Sequence, residues 1–402
     1  MRRLYQEVIK EHLSNLRQMV FLMGPRQVGK TTLSLEVASK YPKHFYLNWD
    51  NSTERLLFLK GAEAIAEKAG LQELSEEVPL LVFDEIHKYG KWKNFLKGFF
   101  DLYEKRTKII VTGSARINVY KKGGDSLMGR YFYYRVHPLS VAEIVSPTLI
   151  EEEIRKEPLP ISEEDWLALI EHGGFPEPFV KRSKQFSNRL KRLRKDQLFK
   201  EDIRTGTKIQ ELAQIELLAD ILAKQAAQSM DYYSLSKKVG VSIDTIRRWV
   251  EVLKSFYYCF SIQPWSKNVS RSLIKEPKLY LWDWSLIDDM GQRHENLVAS
   301  HLLKAVHFWT DLGMGEYGLY YLRTKDKIET DFAVTKNGKP WFIVEVKTKA
   351  QGLSSALFHF QEATGAPHAF QIAFDLPFVK KNCFEEKGPV LVPARTFLSQ
   401  LM

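Results

Sequence analysis

The sequence is poor in cysteine and has no long apolar run. Its 402 residues include only two cysteines, Cys259 and Cys383, which lie far apart without a histidine or cysteine cluster nearby. This argues against a structural zinc site and is typical of a protein of the reducing cytoplasm, where we expect this one. No apolar stretch approaches the roughly 20 residues that span a bilayer, so no membrane segment is expected. The first residues lead into a charged amphipathic helix and lack the apolar core of a signal peptide.

Internal repeats and low-complexity tracts are absent as well. The hydrophobic fraction of 44% and the charged fraction of 27% are those of a globular protein. A chain of this length is too long for one core, so two to four domains are expected. The net charge of +10 is unevenly distributed, because residues 181–208 carry eleven Lys or Arg against three Asp or Glu.

Residues 24–31 spell a P-loop, G-x-x-x-x-G-K-T. The apolar run 19–23 before it favours a buried parallel strand, and the residues after Thr31 have helical composition. Backbone N–H groups can then surround phosphate oxygens at a helix N-terminus. Lys30 is placed to reach the β- and γ-phosphates, and Thr31 offers a hydroxyl to Mg²⁺. We therefore expect ATP with Mg²⁺, bound by Gly24, Pro25, Arg26, Gln27, Val28, Gly29, Lys30, Thr31 and Thr32.

A second apolar run, residues 79–83, ends in Asp84 and Glu85. This is the pattern of a strand whose aspartate holds Mg²⁺ through water and whose glutamate acts as general base on the attacking water. The alternative is a strand that ends in a solvated acidic turn. A third apolar strand, residues 108–114, places Thr112 or Ser114 where a hydroxyl can sense the γ-phosphate.

Several segments together resemble one family. They are Gly24–Thr32, the run Phe83-Asp84-Glu85-Ile86-His87, Thr112–Arg116, Leu127–Arg130, Gly173–Glu177 and Lys278–Asp283. Their order is similar to that in an archaeal and bacterial family of AAA+-type ATPases whose C-terminal region is a domain of unknown function. The resemblance implies a homo-oligomer in which Arg130 is an arginine finger acting across a subunit boundary. The alternative is an Arg130 that forms an ion pair within its own domain.

The expected fold class is α/β with four parts. Residues 1–145 form the P-loop AAA+-like ATPase core, a doubly wound sheet. Residues 146–208 form a helical lid and a basic linker helix, and residues 209–270 form a winged helix. Residues 271–402 form a restriction-endonuclease-like α/β domain.

Two basic segments suggest DNA as a partner. The run 181–208 includes cations that can follow a phosphate backbone: Lys181, Arg182, Arg189, Lys191, Arg192, Arg194 and Lys195. Ser242 is a good N-cap for a helix whose Thr245, Arg247 and Arg248 would face a groove or phosphates. The alternatives are a helix face that is solvated or paired with acids on a neighbouring subunit, and a winged helix that serves only as a packing module.

The last region carries a second constellation of charged residues. Glu295 lies on a helix, Asp331 lies on a strand, and Glu345 and Lys347 alternate along the next strand. This is the pattern of the PD-(D/E)-X-K nuclease fold, although Thr330 stands where that pattern has proline. Asp331, Glu345 and Glu295 would share Mg²⁺, while Lys347 would activate water and offset developing charge. Gln361 is a candidate substrate contact. The alternatives are an inherited fold without an active site and an edge strand whose charges merely face water.

Two functions from different classes follow. In the first, an ATPase engages DNA and its C-terminal domain cuts nucleic acid. In the second, the protein is a nucleotide-dependent oligomeric switch or scaffold with a non-catalytic C-terminal domain.

Overall fold

The computed structural model describes residues 2–113, 127–266 and 276–402 of the chain. These residues belong to two compact units. The first unit comprises Met1–His137 and Pro147–Leu149, and the second comprises Pro138–Ser146 and Ile150–Met402. Within the described ranges, no helix combines the length and the apolar character that crossing a membrane requires.

The first unit is an alternation of helices and strands. Its helices are α1 (Tyr5–Asn15), α2 (Lys30–Ala38), α3 (Ser52–Lys60), α4 (Ala62–Lys68) and α5 (Trp92–Tyr103). Its strands are β1 (Met19–Met23), β2 (His44–Asn48), β3 (Leu80–Asp84), β4 (Lys108–Gly113) and β5 (Tyr131–Arg135). A 3₁₀ turn follows β3 at Ile86–Lys88.

These five strands form one parallel sheet in the order β2-β3-β4-β1-β5. Strand β3 is buried at every position, as its continuous apolar run predicts for a central parallel strand. Because the strands are parallel, their carboxyl ends meet at one edge of the sheet. Met23, Asp84 and Gly113 end their strands at that edge, so the α/β class expected for this unit is confirmed.

Aromatic side chains fill the core on one face of this sheet. The ring of Phe83 lies 5.6 Å from those of Phe58 and Phe99, edge-on in both pairs. Helix α5 packs there because its buried residues Trp92, Leu96, Phe99 and Phe100 recur at helical spacing. This core fixes strand β3 and therefore the position of Asp84 at its end.

The second unit contains most of the remaining helices and strands. Its helices are α6 (Val141–Val145), α7 (Glu163–His172), α8 (Pro176–Lys181), α9 (Lys184–Asp196), α10 (Arg204–Gly206), α11 (Leu212–Lys224), α12 (Tyr232–Val239), α13 (Ile243–Ser255), α14 (Met290–Asp311), α15 (Ser355–Thr364) and α16 (Ala394–Gln400). A π-helix, Gln197–Ile203, joins α9 to α10, and 3₁₀ turns lie at Trp284–Leu286 and Cys383–Glu385. Its strands are β6 (Gln228–Ser229), β7 (Cys259–Pro264), β8 (Lys278–Leu281), β9 (Tyr317–Arg323), β10 (Glu329–Lys336), β11 (Lys339–Lys347), β12 (His368–Ala373) and β13 (Pro389–Pro393).

These strands form one mixed sheet in the order β13-β12-β11-β10-β9-β7-β8-β6. Strands β9, β10 and β11 are antiparallel, whereas β11, β12 and β13 are parallel. Strand β8 pairs antiparallel with β7 and with β6, and β7 also pairs with β9. The strand that begins at Lys278 therefore lies next to β6 and β7, and the antiparallel order brings Asp331 and Glu345 to adjacent strands.

Two sequence motifs of the second unit meet in its interior. A Cβ atom on Gly173 would lie 2.7 Å from Asp283 Oδ1, and one on Gly174 would lie 2.4 Å from the ring of Trp284. Asp283 also accepts a 2.7 Å hydrogen bond from Arg194. The Gly-Gly pair is required because the chain approaches the turn after β8 too closely for any larger side chain.

Candidate functional sites

The phosphate-binding loop follows β1 and ends at the first turn of α2. Gly24 has φ of 155°, and a Cβ atom there would lie 2.2 Å from the carbonyl oxygen of Val136. Gly29, which caps α2, adopts a left-handed conformation with φ of 97°. Both glycines are therefore required by backbone geometry, and the loop presents the N-terminus of α2 to a ligand.

Lys30 is buried beneath this loop. Its Nζ donates hydrogen bonds to the carbonyl oxygens of Gly24 (2.9 Å) and Pro25 (2.6 Å). Burial lowers the pKa of Lys30 to about 8, although the charges of Glu85 and Asp84 oppose this effect. A phosphate group bound in the loop would compensate the buried charge.

The remaining loop residues have distinct positions. Gln27 has a positive φ of 60°, and Thr32 is exposed on the first turn of α2. The carbonyl oxygen of Val28 accepts a 2.7 Å hydrogen bond from Arg3, which donates a second one of 2.7 Å to the carbonyl oxygen of His137. Arg3 therefore anchors the back of the loop, a role that no motif indicated. Arg26 also lies in the loop, and Ser114 lies outside the described residues.

Asp84 accepts hydrogen bonds from three hydroxyl groups. Its Oδ2 accepts hydrogen bonds from Thr31 (2.9 Å) and from Tyr46 (2.6 Å), and its Oδ1 accepts one from Thr112. The structure thus brings together three residues that the sequence assigned to nucleotide and Mg²⁺. Tyr46 was missed because its nearness to Asp84 depends on β2 lying beside β3. Its burial and the charge of Asp84 raise the pKa of Tyr46.

Glu85 follows β3 directly and adopts a left-handed conformation, with φ of 54°. Such a backbone is uncommon for a residue with a side chain and is found at functional sites. Its Oε2 lies 3.3 Å from Lys88 Nζ and 3.8 Å from His87 Nε2. Lys88 also contacts Asp50 at 2.5 Å. The carboxylate is therefore at the phosphate edge of the sheet, as expected for a general base.

Arg130 lies at the opposite end of these parallel strands, where the strands begin. Its carbonyl oxygen accepts a 2.9 Å hydrogen bond from the N–H of Met19, the first residue of β1. The loop follows the last residue of β1, and a five-residue strand spans about 16 Å. The guanidinium group donates hydrogen bonds of 2.6 and 3.0 Å to the two carboxylate oxygens of Asp101. The parallel order thus separates Arg130 from the phosphate loop of the same chain.

A second cluster of charged residues lies in the second unit. Asp331 on β10 accepts a 2.8 Å hydrogen bond from the N–H of Val346 on β11. Glu345 accepts a 2.9 Å hydrogen bond from Lys347, two residues along the same strand. Glu295 on α14 accepts one of 2.8 Å from Tyr280. The structure brings all four residues of the predicted constellation to one region of the mixed sheet.

A lysine that the sequence analysis missed lies among these acids. Lys278 Nζ lies 2.6 Å from Glu329, 3.4 Å from Glu295 and 3.5 Å from Asp331. The residue is only 4% exposed. It was overlooked because it lies 17 residues or more from these acids in sequence.

Two of these acids have raised pKa values. Burial and the charge of Asp331 raise the pKa of Glu295 to about 8 and that of Glu345 to about 7. Glu345 Oε2 is buried and has no hydrogen-bond partner. Carboxylate oxygens of this kind suit a hard cation such as Mg²⁺. Among the described residues, however, no three acidic, histidine or cysteine side chains are arranged to hold a metal ion.

The side chain of Gln361 donates hydrogen bonds to the backbone of the same unit. Its Nε2 donates hydrogen bonds to the carbonyl oxygens of Lys387 (2.6 Å) and Ala366 (3.2 Å). The side chain thus ties α15 to neighbouring backbone, and this bonding differs from the substrate contact that the sequence suggested.

Comparison with known families assigns the first unit. Residues 16–145 match the family model described as an AAA domain. This range includes the phosphate loop, Asp84, Glu85 and Arg130, whose geometry is given above. Residues 16–145 are therefore similar to an AAA domain. Residues 163–296 and 290–383 match two models described as domains of unknown function, DUF8612 and DUF4143.

Individual proteins with this similarity are distant. An uncharacterised protein of Mycobacterium tuberculosis and one of Mycobacterium bovis are each 22% identical over 346 residues, which cover 84% of this chain and 72% of each relative. AMPPCP-bound DnaA from Aquifex aeolicus is similar at 16% identity with a TM-score of 0.30, over 62% of this chain and 86% of DnaA. A signal-transduction ATPase with a tetratricopeptide repeat sensor from Pyrococcus horikoshii has 17% identity and a TM-score of 0.23. The match covers 75% of this chain and 45% of that ATPase. With scores this low, the AAA assignment depends on the family match and the site geometry.

The basic residues that follow the AAA domain divide into two groups. Arg194 is largely buried, pairs with Asp283 at 2.7 Å and lies 3.5 Å from the centre of the Phe175 ring. Lys191 donates a 2.6 Å hydrogen bond to the carbonyl oxygen of Ser285. Lys195 pairs with Asp220 (2.8 Å) and Glu216 (3.1 Å). The expectation that these three follow a phosphate backbone is therefore replaced by an internal role. Two other arginines of this helix, Arg189 and Arg192, are exposed.

Helix α13 begins as its sequence predicts. The Ser242 hydroxyl accepts a hydrogen bond from the N–H of Thr245, and the hydroxyl groups of the two residues lie 2.9 Å apart. Arg247 and Arg248 are exposed on the same helix, and the guanidinium of Arg247 lies 5.3 Å from the centre of the Tyr232 ring. Ser242 and Thr245 thus serve the cap, while the two arginines face outward.

Proposed function

We propose that this protein binds and hydrolyses ATP at the AAA domain. The observation that carries the proposal is Asp84 held by Thr31, Thr112 and Tyr46 directly beside the phosphate loop. Thr31 and Asp84 would hold Mg²⁺, which offsets charge on the transferring phosphoryl group. Lys30 would bind the phosphates, and Glu85 would orient and deprotonate the attacking water.

Two substitutions test the assignment of these roles. Lys30→Ala removes the buried ammonium beneath the loop and should abolish ATP binding. Glu85→Gln keeps the side-chain shape but cannot accept a proton, so the variant should bind ATP and lose turnover by about 100-fold or more. Binding is measured with a fluorescent ATP analogue and turnover by phosphate release. Turnover by Glu85→Gln at the wild-type rate would remove the general-base assignment.

We also propose that the protein engages DNA through the segment from α11 to β8. The order helix, strand, helix, helix, strand, strand and the pairing of β8 with β6 and β7 support a winged-helix module. In such a module α13 is the helix that meets DNA, and its exposed Arg247 and Arg248 support this orientation. Arg189 and Arg192 would add phosphate contacts. Residues 146–208, which contain α7 to α9, would act as the helical lid.

A second candidate activity is metal-dependent cleavage of a phosphodiester. It is favoured by the convergence of Asp331, Glu345 and Lys347 at adjacent strands, as in nuclease-like folds. Asp331, Glu345 and Glu295 would have to rearrange to hold Mg²⁺, which would stabilise charge on the phosphate. Lys347 would activate the water. The competing proposal is a nucleotide-dependent switch or scaffold in which this domain does not cleave.

We further propose a cytoplasmic homo-oligomer in which Arg130 completes the ATP site of a neighbouring subunit. The position of Arg130 at the sheet edge away from its own loop supports action across subunits. The free thiols of Cys259 and Cys383, both buried, support a reducing compartment.

A further inference from the structure

The environment of Lys278 is that of a bound cation. Its ammonium group contacts one oxygen from each of Glu329, Glu295 and Asp331, at 2.6, 3.4 and 3.5 Å. These carboxylates come from β10 and α14, so the lysine joins separate elements of the second unit. Because the residue is almost completely buried, water screens these contacts very little.

A divalent cation in the proposed site would use two of the same carboxylate groups. Glu295 and Asp331 are both proposed metal ligands, and a magnesium ion binds oxygen at about 2.1 Å. An ammonium group that remained at its present distances would lie within a few ångströms of that ion. Two positive charges so close in a poorly solvated site repel strongly. A metal ion that used both of these carboxylates would therefore bind most favourably if the buried ammonium group of Lys278 moved away.

We propose that Lys278 is the resident cation of this carboxylate site, and that a divalent metal binds only in exchange for its ammonium group. This inference rests on the proposed function of the cluster as a metal site. A separate observation supports the site: Glu345 is only 8% exposed, and its Oε2 has no hydrogen-bond partner. The cluster thus contains one carboxylate oxygen that accepts no hydrogen bond from either Lys278 or Lys347.

The proposal makes Lys278 a determinant of metal affinity. With the lysine in place, part of the negative charge of the site is balanced internally, and its need for a metal is reduced. Without it, the four carboxylates are left with Lys347, which pairs with Glu345, and Arg323, whose Nε lies 3.6 Å from Glu329. Their mutual repulsion is then relieved best by a divalent ion.

The experiment compares Mn²⁺ binding by nucleotide-free, full-length wild type and Lys278→Met, using calorimetry and thermal shift. Lys278→Met should bind Mn²⁺ at least about tenfold more tightly and gain more thermal stability from it. Adding Asp331→Asn to Lys278→Met should remove the gain, which locates the ion in this cluster. Equal affinities of wild type and Lys278→Met would overturn the proposal.

Two further variants protect the test from misfolding. Lys278→Met with Glu329→Gln removes the ammonium and its nearest carboxylate together, so the site keeps its net charge. This variant should still bind Mn²⁺ more tightly than wild type, and if it is folded and does not, the proposal fails. The matched control is Lys304→Met, which breaks another buried pair, with Glu143 at 2.5 Å. It should leave Mn²⁺ affinity unchanged, and a gain there would also overturn the proposal.

Plasmid nicking by the same proteins separates this inference from the proposed cleavage. Tighter Mn²⁺ binding by Lys278→Met without nicking by any variant supports the exchange and removes the nuclease proposal. Nicking by wild type with unchanged affinity in Lys278→Met supports the nuclease and overturns the exchange.

Discussion

Two buried lysines show how neighbouring groups set the pKa of a side chain. Burial disfavours the charge of both Lys30 and Lys278. Lys30 donates to neutral carbonyl groups, and its pKa falls to about 8. Around Lys278, the charges of Glu295, Asp331 and Glu329 outweigh burial, and its pKa rises. Lys30 therefore gains its full counter-charge from a ligand, whereas Lys278 has one already.

His301 gives a prediction at the residue scale. Its Nε2 accepts a 3.1 Å hydrogen bond from the N–H of Val141, and its Nδ1 lies 2.8 Å from the carbonyl oxygen of Leu297. Burial lowers its pKa from 6.5 to about 3, with a further contribution from Lys304. The ring is therefore neutral in the folded state. Its contribution is complete above pH 6.5 and is lost as the pH falls toward 3, because the unfolded chain binds the proton first.

His301→Gln keeps an acceptor for Val141 and removes the titration. Between pH 6.5 and 4, the free energy of unfolding of the wild type should fall more steeply than that of the variant, by up to about 1.4 kcal/mol per pH unit. Urea unfolding at several pH values measures the difference, which removes the effect of the carboxylates common to both proteins. Parallel pH profiles would show that folding does not lower the pKa of His301.

At the scale of elements, helix α9 explains why a run of positive charge was an incomplete guide to DNA binding. One face places Lys191, Arg194 and Lys195 against acceptors within the second unit, while Arg189 and Arg192 face outward. Sequence shows the charges but not which ones have partners. The buried Arg194–Asp283 pair joins α9 to the turn after β8, so part of the charge run is structural.

Arg192 and Arg194 form a matched pair for testing this division. Arg192→Glu should leave the free energy of unfolding within about 0.5 kcal/mol of wild type. It should weaken DNA binding and reduce the slope of log affinity against log salt by about one. Arg194→Glu should lower the free energy of unfolding by about 3 kcal/mol or more, because it leaves Asp283 buried without its partner. Anisotropy titrations at several salt concentrations and urea unfolding measure both effects. An unchanged salt slope in Arg192→Glu would remove this helix from the proposed DNA surface.

At the scale of the whole molecule, the parallel sheet determines what Arg130 can reach. Arg130 directly precedes β5 and accepts a hydrogen bond from Met19 at the start of β1, whereas the phosphate loop follows the other end of β1. A role in ATP hydrolysis therefore requires a second subunit. The alternative is the ion pair with Asp101, which is exposed and so contributes little stability.

Mixed oligomers distinguish these two roles. Arg130→Ala should reduce ATP turnover by more than about tenfold with little change in ATP affinity, because an arginine finger acts on the transition state. Mixing it with Lys30→Ala subunits should restore part of the activity, since some sites then combine an intact loop with an intact Arg130. Asp101→Asn is the control and should retain turnover. Equal losses in Arg130→Ala and Asp101→Asn, without recovery on mixing, would assign Arg130 to the ion pair alone.

The phosphate loop, the acids at the end of β3 and the cap of α13 could all be predicted from the sequence. Each depends on neighbours within a few residues: glycines where φ is positive, an apolar run before an acid, a serine before a helix. The acidic residues of the second cluster could be proposed from the sequence. Their positions relative to one another could not, since Asp331, Glu345 and Glu295 belong to separate elements.

Tertiary structure alone decided the rest. Tyr46 reaches Asp84 only because β2 lies beside β3, and Lys278 reaches its three acids only because β8 lies near β10 and α14. Gly174 is needed because Trp284, more than a hundred residues later, packs against it. Strand order and helix packing are set by the burial of whole faces, which is a property of the folded chain. A local pattern therefore identifies a ligand-binding loop, but only the fold determines which charges meet.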